Sequence, residues 1–387
     1  MVKQRADKAS NIMIKRKFIP YSRQWIDDKD IKEVVKVLKS DWVTQGPKIE
    51  EFEKAIARYC NAKYAVAFSS GTTALYSAYR ATGIKEGDEV ITTPLTFVAT
   101  GNTIALLGAK PVFIDVENET LNINPELIEK SITKKTKAIV TVDFAGVPCD
   151  YDKILKIAKK NKLFLIEDAC HALGAEYKGR KIGNFADITI ITFHPVKHIT
   201  TAEGGMALTN NKNFYEKLKI LRNHGIIKKP GKGKWYYEVK EPSFNFRITD
   251  IQCALGLSQL KKIDKFLKRK GEIIDKYNKA FKDINGIAIP SKIAYAKPAR
   301  YIYPIQVKKE NRRKIFEDLQ KQGIGVQVHY MPLHLHPFYR EKFGYKKGDF
   351  PMAEKYYEGA ITIPLFPKMT DEQLDYVINS VKKIIPH

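Results

Sequence analysis

Cysteine is scarce and scattered. Cys60, Cys149, Cys170 and Cys253 are the only four, and no two form a Cys-x-x-Cys pair. That excludes a disulfide framework and a zinc site, and suits a reducing cytoplasm. No apolar run reaches the roughly 18–20 residues that a membrane-spanning helix needs. Acidic residues are also short: 43 Asp and Glu stand against 67 Lys and Arg, a net charge of +24. Such an excess invites nucleic acid as a partner. Yet the lysines are spread along the chain, mostly on polar helix faces such as 153–162 and 261–270. The regular interleaving with aromatics that single-strand binders use is missing. Nucleic acid is therefore not expected as a partner, while an anionic small substrate would feel the same field. Met1–Lys17 is basic and polar without the apolar stretch of a signal peptide, and is expected to be a flexible extension.

What is present is a mixed, 44% hydrophobic chain of 387 residues, enough for two domains of a globular protein. One stretch organises it: Asp187-Ile-Thr-Ile-Ile-Thr-Phe-His-Pro-Val-Lys-His-Ile-Thr-Thr-Ala-Glu-Gly-Gly205. An apolar strand, Ile188–Phe193, runs into a polar loop that carries Lys197, and a second strand follows at Met206–Thr209. Pro195 stiffens the approach, and Gly204-Gly205 allows a sharp turn or a close approach to something flat. Taken alone, Lys197 could equally be one more surface lysine.

Around it the chain alternates. Helices are expected over Ile31–Leu38 and Ile49–Tyr59, then a strand at Tyr64–Phe68. Ser69-Ser-Gly-Thr-Thr73 opens a helix over Ala74–Ala81. Strands at Glu89–Thr92, Pro111–Asp115, Ala138–Val142 and Leu163–Glu167 alternate with helices from Thr100 to Leu107, Pro125 to Ile132 and Tyr151 to Lys160. Repeated βα units of this length predict an α/β fold with a mainly parallel sheet covered by helices. Ligands of such sheets gather at the carboxyl ends of the strands. Ser69–Thr73, Phe97, Asp168 and Lys197 all fall just past such ends.

Each of these has a plain reading. Ser69–Thr73 is either an anion site, built from exposed N–H groups and a helix dipole, or an ordinary N-cap. It lacks the Gly-Lys-Ser/Thr of a nucleotide P-loop, which favours a phosphate monoester. Asp168, beside an apolar run, is either a cofactor partner or a structural salt bridge. His171 could be a packed core histidine. Together they fit one group. Pyridoxal phosphate (PLP) needs a lysine for its aldehyde, a carboxylate for its ring nitrogen, a helix start for its phosphate and an aromatic cover, for which Phe97 is the candidate. A dinucleotide or P-loop reading leaves Lys197 and Asp168 without a task.

From about Phe18 onward the chain resembles the sugar-nucleotide aminotransferases of the DegT/DnrJ/EryC1/StrS family, which are fold-type I PLP enzymes. The stretches that carry the resemblance are Trp42-Val-Thr-Gln-Gly, Ser69-Ser-Gly-Thr-Thr-Ala-Leu, Thr93-Pro-Leu-Thr-Phe-Val-Ala-Thr, Ile166-Glu-Asp-Ala-Cys-His-Ala-Leu-Gly, Thr192-Phe-His-Pro-Val-Lys, Glu203-Gly-Gly, Arg222-Asn-His-Gly and Asn245-Phe-Arg. Phe193–Gly205 and Gln327-Val-His-Tyr330 look most like the branch that aminates C4 of a UDP-linked 4-keto-6-deoxy-N-acetylhexosamine on the route to pseudaminic acid. The resemblance implies a large PLP-binding domain over residues 18–265 and a smaller C-terminal α/β domain over 266–387. It implies that Lys197 is the Schiff-base lysine and that Asp168 pairs with the ring nitrogen. Phe97 and the Ala172 neighbourhood would sandwich the ring, with His171 near its oxygen. Gly71, Thr72 and Thr192 would hold the phosphate; Thr192 stands where many members have serine and keeps the hydroxyl. Asn245 would reach the phosphate from a partner subunit, so a homodimer with shared sites is expected. Thr249-Asp-Ile-Gln252 forms a capping box that should make the position of Asn245 rigid.

Substrate contacts carried over in the same way are Tyr21, Asp41, Trp42, Val43, Thr44, Gly71, Thr192, Asn245, Gln327, Val328, His329 and Tyr330. Tyr21 could merely pack, and His329 could hydrogen-bond within the small domain. L-glutamate is the implied amino donor. The rivals are a dehydratase of the same fold, a 3-keto or a GDP- or dTDP-linked sugar substrate, and a non-catalytic regulator. Dehydratase relatives carry histidine at the Schiff-base position, where this chain has Lys197. The intact set of Lys197, Asp168 and Asn245 argues against a regulator.

Overall fold

The computed structural model describes residues 18–385, so the extension 1–17 lies outside the described residues. A seven-stranded sheet forms the centre. Its strands are β1 (Tyr64–Phe68), β2 (Glu89–Thr92), β3 (Lys110–Phe113), β4 (Thr136–Val142), β5 (Phe164–Asp168), β6 (Ile188–Thr192) and β7 (Gly205–Thr209). They lie in the order β1-β7-β6-β5-β4-β2-β3. The pairs β2–β3, β2–β4, β4–β5 and β5–β6 are parallel. Only β7 runs against its neighbours, β1 and β6. Six carboxyl ends therefore share one edge of the sheet, and the expected mainly parallel α/β architecture is present.

The strands read as nearly continuous apolar runs because both faces are covered. Successive side chains go to opposite faces. Val66, Val140, Ile166 and Ile190 pack under α3 (Gly71–Ala81) and α6 (Lys212–Arg222), against Leu75, Tyr79, Phe214 and Leu218. Their neighbours Ala67 and Ile191 face α2 (Pro47–Tyr59) through Phe52 and Ile56. Ile139 and Leu165 face α5 (Tyr151–Lys160) through Ile154 and Ala158. The expected helix at Pro125–Ile132 stops at Ile128 and tightens into a 3₁₀ turn over Glu129–Ser131.

A second sheet pairs Tyr303–Val307 with Ala360–Ile363, and Ile287–Ala288 lies on its other side. The hand-over between the two cores occurs inside one helix, α8 (Ile263–Phe281), which follows α7 (Asp250–Leu260). Ile263 packs with Phe52 in the large core, whereas Ile273, Tyr277 and Phe281 pack with Tyr303, Ile305 and Ile361. Ile19 belongs to this second core and is bonded through its backbone to Gly323 and Gly325. The first described residues thus dock on the C-terminal unit, an arrangement that a division at 265/266 leaves out.

Behind the site edge, β5 is braced by a polar knot. Tyr151 Oη lies 2.8 Å from both Asp143 Oδ1 and Glu167 Oε1, and Thr189 Oγ1 donates to Glu167 Oε2 at 2.5 Å. All are buried. One phenolic hydrogen cannot serve two carboxylates, so the knot retains a shared proton. Burial raises both acids, Asp143 to about 6 and Glu167 well above its ordinary range. Carboxyls that keep their protons longer in the fold than in the unfolded chain make stability fall as pH rises above about 4, through about 6 for Asp143 and beyond it for Glu167. Tyr151→Phe should cost roughly 2–4 kcal/mol in urea unfolding, with the deficit growing as pH is raised through that window. A loss below about 0.5 kcal/mol would show that the knot is not bracing β5.

Candidate active site

The sheet brings most of the expected residues to one edge. Asp168 ends β5 and is 5% exposed. Among the described residues no Lys, Arg or His forms an ion pair with it. Its carboxylate is held by the Thr100 hydroxyl at 2.7 Å and by the Cys170 N–H at 3.2 Å. Thr100 is carried by α4 (Val98–Leu106), whose N-cap is Phe97. Sequence reasoning missed this threonine, although it lies in the Thr93–Thr100 stretch; Thr96 bonds it from one helical turn before at 2.9 Å. Phe97 is half exposed and lies 5.8 Å from the ring of Tyr330.

Lys197 sits in the loop after β6, its N–H donating to His194 O at 2.9 Å. Its side chain is half-buried, and its Nζ stands 4.1 Å from the centroid of the Tyr301 ring. Burial pulls its pKa down to about 8, against an opposing pull from Cys170 and Asp168. On the order of a tenth of such an amine is free at pH 7. Cys170 is no competing nucleophile. Burial, reinforced by Asp168, pushes its thiol well above its ordinary range, and a protonated thiol is inert.

Past β1, Ser70 caps α3. Its Oγ accepts from Thr73 N at 3.2 Å, and Thr73 Oγ1 accepts from Ser70 N at 3.1 Å. The helix starts at Gly71, earlier than the apolar run suggests. Thr72 is exposed in its first turn, and Thr192 closes β6 opposite. A Cβ on Gly71 would come within 2.9 Å of Thr192 Cβ. The close approach expected of Gly204-Gly205 is made, but not to a flat ligand. A Cβ on Gly205 would lie 2.3 Å from Ser70 O, because β7 wedges between β1 and β6 and meets the Ser70–Gly71 backbone.

His171 is buried, and its Nε2 lies 3.0 Å from Tyr301 Oη and 3.3 Å from Tyr330 Oη. Burial and the nearby Lys197 hold it well below its ordinary pKa. Tyr21 stacks obliquely on His329, with ring centroids 5.5 Å apart. His329 Nδ1 is bonded to Thr362 Oγ1 at 2.9 Å, the small-domain contact that the sequence left open. Gln327 pairs with Thr362 through the backbone, Val328 is half-buried, and Tyr330 closes the group. Tyr301 was missed outright, since an aromatic residue ahead of an apolar strand carries no local signal.

A second group stays together elsewhere. Thr44 pairs with Thr249, and Asp250 N donates to Val43 O at 3.1 Å. Asn245 Oδ1 accepts from Arg247 N at 3.2 Å, and the expected Thr249–Gln252 capping box is formed. Asp41, Trp42 and Val43 are exposed. No hydrogen bond or ring contact among the described residues joins this group to Lys197.

A model of the DegT/DnrJ/EryC1/StrS aminotransferase family matches residues 24–382. The chain belongs to that family. It is 41% identical over 373 residues to a UDP-4-amino-4,6-dideoxy-N-acetyl-beta-L-altrosamine transaminase of Campylobacter jejuni, covering 95% of this chain and 97% of that one. PseC of Helicobacter pylori, an aminotransferase involved in the biosynthesis of pseudoaminic acid, superposes with a TM-score of 0.91 at 37% identity, over 95% of this chain and 99% of that one. Spr1654 of Streptococcus pneumoniae, solved in a PLP form, gives a TM-score of 0.90 at 34% identity, over 95% and 98%. The aminotransferase is thus of the PLP-dependent kind, with the fold-type I architecture. Among its described residues no helix is long and apolar enough to cross a membrane, and no cluster of His, Cys, Asp and Glu could hold a metal.

The residues fit PLP. Asp168 is a buried carboxylate without a cation, as a protonated ring nitrogen requires. Gly71 lies so close to Thr192 that an added Cβ would overlap it, which leaves the helix start and the Thr192 hydroxyl side by side at the strand ends. Gly71→Ala should therefore weaken PLP binding by about tenfold or more, a 1.4 kcal/mol effect of the size expected for overpacking. Because the added methyl also presses on Thr192, the cofactor-free protein should lose about 1–3 kcal/mol of stability as well. Spectrophotometric titration with PLP decides this; unchanged affinity would remove Gly71 from the phosphate cradle.

Proposed function

We propose that this chain transfers an amino group from L-glutamate to C4 of a nucleotide-linked 4-keto-6-deoxy sugar, UDP-2-acetamido-2,6-dideoxy-β-L-arabino-hexos-4-ulose. The reading is supported by the joint position of Lys197, the cation-free Asp168 and the close Gly71–Thr192 approach at one sheet edge, and by likeness to transaminases named for the altrosamine product. PLP supplies an electron sink that lets the donor's Cα–H bond ionise and carries the amino group between the two substrates. Lys197 holds the aldehyde at rest. Once freed as a neutral amine, it takes the proton from Cα of the donor, and in the second half-reaction it returns a proton to C4 of the sugar. Its lowered pKa makes that form available near neutrality. Asp168 would keep the ring nitrogen protonated, Phe97 would cover the ring, and Gly71, Thr72 and Thr192 would hold the phosphate. Tyr21 and Gln327–Tyr330 border the space left for the sugar. The basic surface favours approach of its diphosphate.

The separation of Asn245 and Asp41–Thr44 from Lys197 supports a homodimer in which each subunit completes its partner's site. Trp42, Val43 and Phe244, exposed beside Asn245, supply apolar surface for it. The four free thiols support a cytoplasmic setting.

Two measurements test this. Lys197→Ala should lose all turnover, and borohydride reduction of the PLP-saturated wild type should label position 197; a label elsewhere, or an active variant, would sink the reading. Lys197→Ala and Asn245→Asp should each be inactive alone. When the two variants are mixed and allowed to exchange subunits, about a quarter of wild-type activity should return, since half the dimers are mixed and one site in each is intact. Absence of complementation despite proven exchange would place Asn245 in its own subunit's site.

A further inference from the structure

Tyr301 has three neighbours that matter. Its ring lies under Lys197 Nζ, and its hydroxyl stands 3.0 Å from His171 Nε2 and 2.8 Å from Tyr330 Oη. It is 1% exposed, so none of these contacts is incidental to a mobile surface ring. We infer that Tyr301 is a two-handed positioning residue: its ring face is the platform on which the reacting amine of Lys197 rests, and its hydroxyl fixes which nitrogen of His171 carries the proton. The inference rests on Lys197 being the reacting amine.

The hydrogens can be counted. The His171 ring is neutral and therefore carries one N–H. If Tyr330 donates to Tyr301 and Tyr301 donates to Nε2, both phenolic protons are used, and the imidazole proton stays on Nδ1. In the reverse order Nε2 donates to Tyr301, Tyr301 donates to Tyr330, and Tyr330 must find another acceptor. That order also strands a lone pair on Nδ1, which is buried and has no partner in the chain. The first order leaves one unmatched group and the second leaves two. The hydroxyl of Tyr301 thus sets His171 as an Nδ1–H donor directed away from the two phenols, a donor available to a bound group.

The ring has the other task. Among the described residues no carboxylate pairs with Lys197, and burial disfavours its charge. Asp168 and Cys170 act on it from the end of β5; His171, His194, His198, His329 and Lys270 share its surroundings and feel its charge in return. The histidines are held low and add no like charge beside it. An aromatic face within 6 Å attracts an ammonium through its quadrupole. It tethers the amine in both protonation states, whereas a carboxylate would fix it as an ion pair and take it out of the chemistry.

Cofactor-free protein tests both halves without turnover. The first measurement is the pH dependence of Lys197 acetylation, read by peptide mapping; the second is the ¹⁵N spectrum of His171. Wild type should titrate Lys197 near pH 8 and show Nδ1–H on His171. Tyr301→Phe keeps the ring, so the Lys197 titration should stay within a few tenths of a unit, while the His171 tautomer preference weakens, since only the longer 3.3 Å contact from Tyr330 still reaches Nε2. Replacing Tyr301 by pentafluorophenylalanine keeps the shape but reverses the ring's quadrupole, and should lower the Lys197 midpoint by on the order of one pH unit. Equal midpoints in the Phe and fluorinated variants would overturn the platform. An Nε2–H signal in wild type, or an unaltered tautomer in Tyr301→Phe, would overturn the hydroxyl's role. Failure of borohydride to label position 197 would strike the transamination reading instead, and is scored separately.

Discussion

A buried carboxylate without a counter-ion, Asp168, is the constraint on which the site is built. Taking a carboxylate out of water costs several kcal/mol unless charge or hydrogen bonds replace the lost hydration. Here the chain supplies one hydroxyl and one backbone N–H and stops short of a cation. Lys197 is close enough to feel the charge but forms no ion pair with it. Had the two paired, each would have satisfied the other, and neither would have been left for a third group. Keeping them apart is only possible if something else tolerates the amine, and the Tyr301 ring does so.

Rigidity comes from behind the sheet. Glu167 and Asp168 are neighbours on β5 and point to opposite faces, so the knot around Glu167 braces the strand that presents Asp168. The antiparallel insertion of β7 does comparable work where α3 begins. It presses Gly205 against Ser70 and so fixes where α3 begins relative to Thr192. The cradle is narrow because two strands and a helix start converge there, and glycine is required at both contacts for steric reasons, not conformational ones, since neither backbone lies in the left-handed region.

Much of this was legible in the chain. The βα alternation is a local pattern, and it places Ser69–Thr73, Phe97, Asp168 and Lys197 at strand ends without further information. The order of the strands is not local, and with it went the purpose of Gly205: no periodicity reveals that β7 would run between β1 and β6. Thr100 lay in a recognised stretch, but its bond to Asp168 spans two βα units. Tyr301 reaches His171 across 130 positions of sequence; tertiary folding alone creates that contact. The packing of Ile19 on the C-terminal core was not legible for the same reason, since a short N-terminal segment docking there leaves no trace in composition.

The net charge of +24 takes on a different meaning once the site is described. Around Lys197 the protein suppresses positive charge. Burial, with Lys197 itself as a second cause, lowers His171 and His329, the latter to about 3, and burial with Lys270 and Lys197 does the same to His198. A pocket already crowded with cations would repel a protonated cofactor ring and would hold Lys197 neutral at too great a cost in PLP affinity. Most cations lie on the surface, many in exposed ion pairs such as Lys153–Glu126 and Lys314–Asp318; the buried Lys270 near Lys197 has its charge disfavoured by burial and by Lys197. Under the proposed function, attraction of an anionic substrate and stabilisation of a cationic ring are opposite electrostatic demands. They are met by separating them in space, with a basic exterior and an acidic, cation-poor floor.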